Sequence, residues 1–409
     1  MHSPPLCAYG NQRSLLQSPV PVTRGTSFWE GNAISSWKYP PGGLVKLRPK
    51  EYDKHMRVQS DLIKNRRRSR IVLVLLAAAV LILAFVCLFV GSSHMSIAEC
   101  FAALAKKGSP AQVRIIWNIR IPRVLAAIIA GAGLSVSGLI MQTDLNNPMA
   151  SPSTLGVSNA AVFGANLSII AFAGGFLDTG NHLSSYTVGA NPYATSLMAF
   201  LFSTVSILLI LGLCRLRAFQ PGVVVLAGIA LGSVWTAATT ILQFYATDVG
   251  LSAAVIWTFG DLGRATYRTD CIMAAVVLVC GVFFLVMSWQ FNALLSGDAA
   301  AKSMGVAVDW LRFVSMLLAS VITAVCVSFL GIIGFVGIIC PHVTKKLLGQ
   351  DHRVSVLASV LSGSLLLLLA DTLSRSLGNG SALPVGAITS LLGAPFFLAI
   401  IFSGKGEHN

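Results

Sequence analysis

Charge is scarce in this chain. Only 11% of its 409 residues are Asp, Glu, Lys or Arg, against about a quarter in an ordinary soluble domain, which argues against a cytosolic enzyme. Acids are scarcer still, fifteen against twenty-nine Lys and Arg. The basic excess does not read as a nucleic-acid surface, because ten of the basic side chains fall within 44–70, Arg66, Arg67, Arg68 and Arg70 among them. They stop where an uncharged apolar run begins, which is the juxtamembrane pattern of the positive-inside rule. No G-x-x-x-x-G-K-[ST] loop is present, so the chain lacks that means of cradling nucleotide phosphates. The eight cysteines show no CxxC spacing and no paired histidines. Most lie in or at the ends of apolar runs, as inert buried thiols do, and no metal site or disulfide framework is expected. His342 has no second histidine at helical spacing, and no Ser, His and Asp constellation resembles a catalytic triad.

What is abundant is apolar sequence: 55% of the residues are hydrophobic and the mean hydropathy is +0.76. Residues 1–55 are rich in Pro, Gly and Ser without periodicity and are expected to be disordered, or to precede a true start at Met56. Residues 56–70 form a basic cytoplasmic segment, 71–403 the membrane domain and 404–409 a cytoplasmic tail. Apolar stretches run over 71–90, 124–143, 154–177, 194–214, 223–246, 271–289, 313–344, 354–370 and 383–402. The stretch 313–344 would extend about 48 Å as a helix at about 1.5 Å per residue. A bilayer core is about 30 Å thick, so a reversal is expected near Gly331, giving about ten spans of an all-α polytopic protein. An even number leaves both termini in the cytoplasm and puts Arg215, Arg217, Lys302, Arg312, Lys345, Lys346 and Arg353 inside. It also puts Lys106, Lys107, Arg114, Arg120, Arg123, Arg264, Arg268 and Arg375 on the outer face.

Small residues mark the central helices. Ala127, Gly131, Ser135 and Gly138 share one helix face, as do Gly386, Ser390 and Gly393, and close helix packing is expected there. Asp371 and Arg375 are spaced for an i,i+4 ion pair. Asp144 and Asp371 are taken as the carboxylates nearest the spans. Without coupling acids at mid-membrane a proton-coupled secondary transporter is the weaker reading, and a partner ATPase the stronger. The loop from Phe291 to Val306 suits such a partner: Ser296 is expected to cap a short helix over 299–304, with Asp298 in its first turn and Gly305 as its stop.

Several motifs keep a common order across about 70–403: Arg120-Ile-Pro-Arg123, Ser137-Gly-Leu-Ile-Met-Gln142, Asn147-Pro-Met-Ala-Ser-Pro, Leu155-Gly-Val-Ser158, Ser296-Gly-Asp through Met304-Gly-Val, Gly334-Phe-Val-Gly-Ile-Ile-Cys-Pro-His342, Asp351-His-Arg353, and Leu383-Pro-Val-Gly386 with Gly393-Ala-Pro-Phe-Phe. Together they resemble the FecCD-type permeases of ATP-binding-cassette importers for iron siderophores, haem and cobalamin. The resemblance implies a type II importer permease in a bacterial cytoplasmic membrane, with no enzymatic activity and no cofactor of its own. A second permease subunit, cytoplasmic ATP-binding subunits and an extracytoplasmic substrate-binding protein would be its partners, and a ferric siderophore its substrate, with cobalamin or haem as alternatives. It implies ATPase coupling through Ser296, Gly297, Asp298, Ala299, Lys302 and Gly305. Docking of the binding protein would fall to Arg120, Arg123 and Arg375, with internal pairing of Arg375 and Asp371 as the alternative. An inner gate would form at Phe219, Gln220 and Pro221, where Gln and Pro depart from the small hydroxyl residues of the cobalamin-importing relative.

Overall fold

The computed structural model describes residues 49–91, 95–172, 191–215, 221–377 and 382–403. The chain divides into two units, 1–58 and 59–409. In the first, the described residues belong to the opening of helix α1 (Pro49–Phe89), so helix begins within the segment expected to be disordered.

The described residues of 59–409 form helices joined by turns and loops, with one isolated bridge between Phe259 and Ile332. After α1 come short α2 (Ile97–Leu104) and α3 (Pro110–Arg114), and a π-helical stretch, Ile115–Arg120, that leads into α4 (Ile121–Asp144). Helix α5 (Val157–Asn166) continues as a π-helical turn, Leu167–Phe172. Then follow α6 (Pro192–Arg215), α7 (Pro221–Phe244), α8 (Asp248–Thr258), α9 (Tyr267–Val286), α10 (Ser288–Leu294), α11 (Asp298–Ser303), α12 (Val308–Leu330), α13 (Val336–Leu348), α14 (His352–Leu377) and α15 (Val385–Ser403). Among the described residues seven helices are long and apolar enough to cross a bilayer. Shorter apolar helices, α5 with its extension, α8 and α15, accompany them.

Helix α1 and helix α4 mark the two extremes of environment. On α1, Val74, Leu81 and Ile82 are each at least 65% exposed, an apolar surface that only lipid or another membrane helix covers without cost. Helix α4 is almost wholly buried and packs against α9, α12, α13 and α14. Its small residues permit this. Gly131 lies on the backbone of Gly363 in α14, and Gly138 on the backbone of Gly337 in α13, so closely that a Cβ at either position would overlap a carbonyl. Gly386 abuts the carbonyl of Ile332, Gly393 the ring of Phe335, and Ser390 donates to the carbonyl of Gly386 at 2.8 Å.

The reversal expected near Gly331 is there. Gly331, at φ 80°, ends α12, and α13 returns with thirteen residues, about 20 Å at about 1.5 Å per residue. Irregular backbone at membrane depth needs protein partners for its polar groups. Asp261 N–H donates to the carbonyl of Leu330 at 2.8 Å, Val385 N–H to that of Gly260 at 2.7 Å, and Phe259 pairs with Ile332.

Candidate functional site

Two polar districts stand out in this apolar molecule, one at each end of the bundle. At the end expected from the basic residues to face inward, α10 and α11 form a tight pair. Gly297 holds φ 96°, a conformation glycine adopts freely and residues with a Cβ rarely do. Gly297, not Ser296, is the N-cap of α11, and no side chain caps it. Ser296 falls one residue too early, its N–H closing the end of α10 on the carbonyl of Ala293 at 3.0 Å. Residues 295–299 and 302–305 are exposed while Ala301 is fully buried, so the helix is rooted by one face and offers the other. Lys302 and Asp309 make an exposed contact at 3.4 Å, of the kind that contributes little. The firm attachment is Asp298. Both its oxygens accept from Arg312 of α12, at 2.6 and 2.7 Å, and Arg312 is buried. A bidentate guanidinium–carboxylate pair fixes orientation as well as distance.

At the opposite end, expected to face outward, the arginines serve helix termini. The last carbonyls of a helix have no partner within it, and its C-terminus attracts cations. Arg120 donates to the carbonyls of Leu88 at 2.6 Å and Phe89 at 3.3 Å, and Arg375 to those of Cys87 at 3.0 Å and Val90 at 2.6 Å. Two guanidinium groups thus close α1. Arg264 does the same for α8 through the carbonyls of Ile256 and Trp257, at 2.7 and 3.0 Å; burial lowers its pKa and the Asp261 carboxylate opposes that shift. Arg123 reaches Asp371 at 2.7 Å and Asp261 at 3.8 Å, and Arg375 meets Asp371 at 2.8 Å across one helical turn. Arg120, Arg123 and Arg375 are all less than a tenth exposed and Asp371 not at all. A binding protein that engaged these arginines would compete with their internal partners. Nearby, the backbone N–H and then the hydroxyl of Ser96 hold the Glu99 carboxyl below the usual carboxylate range, and the Tyr267 hydroxyl donates to the carbonyl of Trp117.

Sequence reasoning missed three of these features. Arg123 joins Asp371 across 248 residues, a pairing that local spacing does not reveal. The capping of α1 by two arginines is equally long-range. Asp270, at the start of α9, is a third buried carboxylate near a span, and neither oxygen has a hydrogen-bond partner among the described residues; the span 271–289 began one residue after it.

The turn before α5, α5 itself and α7 border an open cleft of about 490 Å³ lined by Ser153, Asn159, Gly228, Ile229, Thr236 and Ala237 among others, none ionisable. Of the expected gate, Phe219 and Gln220 lie outside the described residues, and Pro221 opens α7. Among the described residues no three His, Cys, Asp or Glu side chains group as metal ligands.

The profile of the FecCD transport family matches residues 73–403. A candidate ABC transporter permease protein of Methanocaldococcus jannaschii is 44% identical over 77% of this chain and 89% of its own length. The hemin transport system permease protein of Yersinia pestis is 34% identical over 80% of this chain and 96% of its own. A solved inward-facing structure of a candidate metal-chelate type ABC transporter superposes with a TM-score of 0.68 at 28% identity, covering 81% of this chain and 98% of that one.

Proposed function

The chain belongs to the FecCD transport family of membrane-embedded ABC permeases, and from that premise we propose that it imports a ferric siderophore by alternating access, driven by ATPase subunits on its inner face. The observation that carries this reading is the α10–α11 element: a short helix with one exposed face, set on a glycine hinge and tied by a bidentate ion pair to a membrane-spanning helix. Such an element suits a soluble partner that must pull on the membrane domain. A second permease subunit would complete the conduit and an extracytoplasmic protein would deliver the substrate. Both termini of this chain would then lie in the cytoplasm, by the basic residues at 44–70.

Nucleotide binding would close the ATPases and bias the permease between inward- and outward-open states, as a ligand shifts any two-state element for which it has differential affinity. The cleft between α5 and α7 supports the substrate class. Its lining of small hydroxyl, amide, glycine and apolar side chains has no cation among the described residues to retain the carboxylates of haem or citrate. It suits a chelate with a neutral polar rim, which must be released as readily as admitted.

Vesicles containing this permease with its ATPase and binding-protein partners, supplied with ATP, should accumulate a radiolabelled ferric hydroxamate chelate in preference to ferric citrate, haem and cobalamin. The margin expected is about tenfold, a difference of about 1.4 kcal/mol. Preference for haem or cobalamin would overturn the substrate assignment while leaving the import mechanism intact.

A further inference from the structure

The inner end of α4 carries three consecutive polar residues, each bonded to a different helix. Gln142 donates to the carbonyl of Ile338 in α13 at 3.1 Å. Thr143 Oγ1 stands 2.9 Å from Nε2 of His352 in α14. Asp144 Oδ2 accepts from the Ser315 hydroxyl of α12 at 2.6 Å. Thr143, Asp144, Ser315 and His352 are all at most 5% exposed. Buried polar groups at the end of the most enclosed helix are costly unless paired, and simple anchoring would need one such bond, not three to three partners.

The bonds continue outward, and two of them lead to the α10–α11 element. Ser315 lies one turn beyond Arg312 on α12, and its hydroxyl, with one proton to give, also stands 2.6 Å from the carbonyl of Leu311 and 3.2 Å from that of Arg312, while Arg312 holds Asp298 of α11. The first path is therefore Asp298, Arg312, Ser315, Asp144. In the second, His352 stacks on the ring of Phe291 of α10, at 5.6 Å between centroids. Its Nδ1 and its backbone N–H both contact Oδ1 of Asn292, at 2.9 and 2.8 Å. Asn292 Nδ2 donates in turn to Asp351 at 2.8 Å. The second path is Asn292, His352, Thr143.

We propose that Thr143 and Asp144 are the receiving end of the transport stroke: movement of α10 and α11 enters α4 through these two polar chains and is carried along α4 to the outer end. The chain itself supplies the lever. Helix α4 packs at glycine contacts on α13 and α14, without bulky side chains to deform, and its outer end carries Arg123, bound to Asp371 of α14. Close-packed interiors pass displacement on and do not absorb it. Thr143, Ser315 and His352 are positioning residues in this scheme; none need touch substrate or nucleotide. The proposal rests on the reading of 296–306 as the segment that meets the ATPases.

The test uses the whole complex in vesicles with the ferric hydroxamate chelate as probe, or whichever chelate of the panel above the wild type accumulates. Three quantities are measured: ATPase subunits co-purifying with the permease, ATP hydrolysed, and probe accumulated per ATP. Thr143→Val and Ser315→Ala each remove one hydroxyl. Each should leave the bound ATPase at wild-type level and lower the accumulation per ATP about tenfold, within the 5- to 150-fold range of coupling between sites. Thr143→Ser, which restores the hydroxyl, should recover the ratio. Because the ratio is taken per ATP hydrolysed, a lower yield of folded complex does not affect it. A ratio unchanged from wild type in both hydroxyl-deletion variants would overturn the proposal. A wild-type permease that retains no ATPase would instead overturn the coupling reading beneath it.

Discussion

Asp371→Ala is expected to lose the folded permease, at a cost of about 3–5 kcal/mol, the range for removing one partner of a buried ion pair. Asp371 is fully buried and stands at 2.7 Å from Arg123 and 2.8 Å from Arg375. Two guanidinium groups would be left facing its place. Arg375 keeps its bonds to the carbonyls of Cys87 and Val90, and Arg123 keeps Asp261 at 3.8 Å, so neither is stranded entirely. What is lost is the one anion that joins them and ties α4 to α14. Asp371→Asn preserves the volume and an acceptor and should fall between wild type and Asp371→Ala. Thermal unfolding of the purified protein in detergent, with the yield of monodisperse material, reads the effect. Wild-type stability in the alanine variant would show the buried triad to be incidental.

The largest effect on function is expected from the pair Gly297→Val and Asp298→Leu. A Cβ at Gly297 meets nothing within 4 Å, so space is not the obstacle. The obstacle is φ 96°, a conformation that costs a residue with a side chain about 1–3 kcal/mol. Asp298→Leu removes the carboxylate from a buried arginine. The hinge and the tie fail together, and neither belongs to the glycine contacts that join α4 to α13 and α14. Uptake should fall by about a hundredfold, near the upper end of coupling between sites, while the amount inserted in the membrane, read by immunoblot, stays at wild-type level. Normal uptake in the double variant would remove α11 from the drive.

The relation between sequence and structure can be argued from these same residues. The membrane passes were legible because a bilayer admits few solutions: backbone groups must be satisfied within the protein, which demands long apolar helices. Gly331 was legible as a break for the same reason, an apolar run too long for one crossing. The face formed by Gly131, Ser135 and Gly138 was readable from helical period alone, though its partners Gly363 and Gly337 were not. The position of the α11 helix was readable from turn chemistry, but its cap was misassigned by one residue, because Ser296 carries the expected side chain while Gly297 carries the required backbone. Asp371 and Arg375 were readable as neighbours at i,i+4. Arg123 was not, nor were the arginine caps on α1, because nothing local links a guanidinium to a carbonyl some thirty residues or more away. Of the outer arginines, Arg120, Arg123, Arg264 and Arg375 have internal partners, of which only the pairing of Arg375 with Asp371 was foreshadowed by spacing. Thr143 and Ser315 went unnoticed, and Asp144 was read only as a carboxylate at the end of a span, because isolated polar residues in an apolar helix do not announce a network until the fold brings them together.

The central claim is that this chain forms the conduit and a cytoplasmic partner supplies the energy. The direct measurement is accumulation of labelled chelate in sealed vesicles containing the permease with and without its ATPase subunits, and with and without ATP. Uphill accumulation is expected only when ATPase and ATP are both present, with none from the permease alone under an imposed proton gradient. Sustained accumulation by the permease alone, with no nucleotide supplied, would contradict the claim.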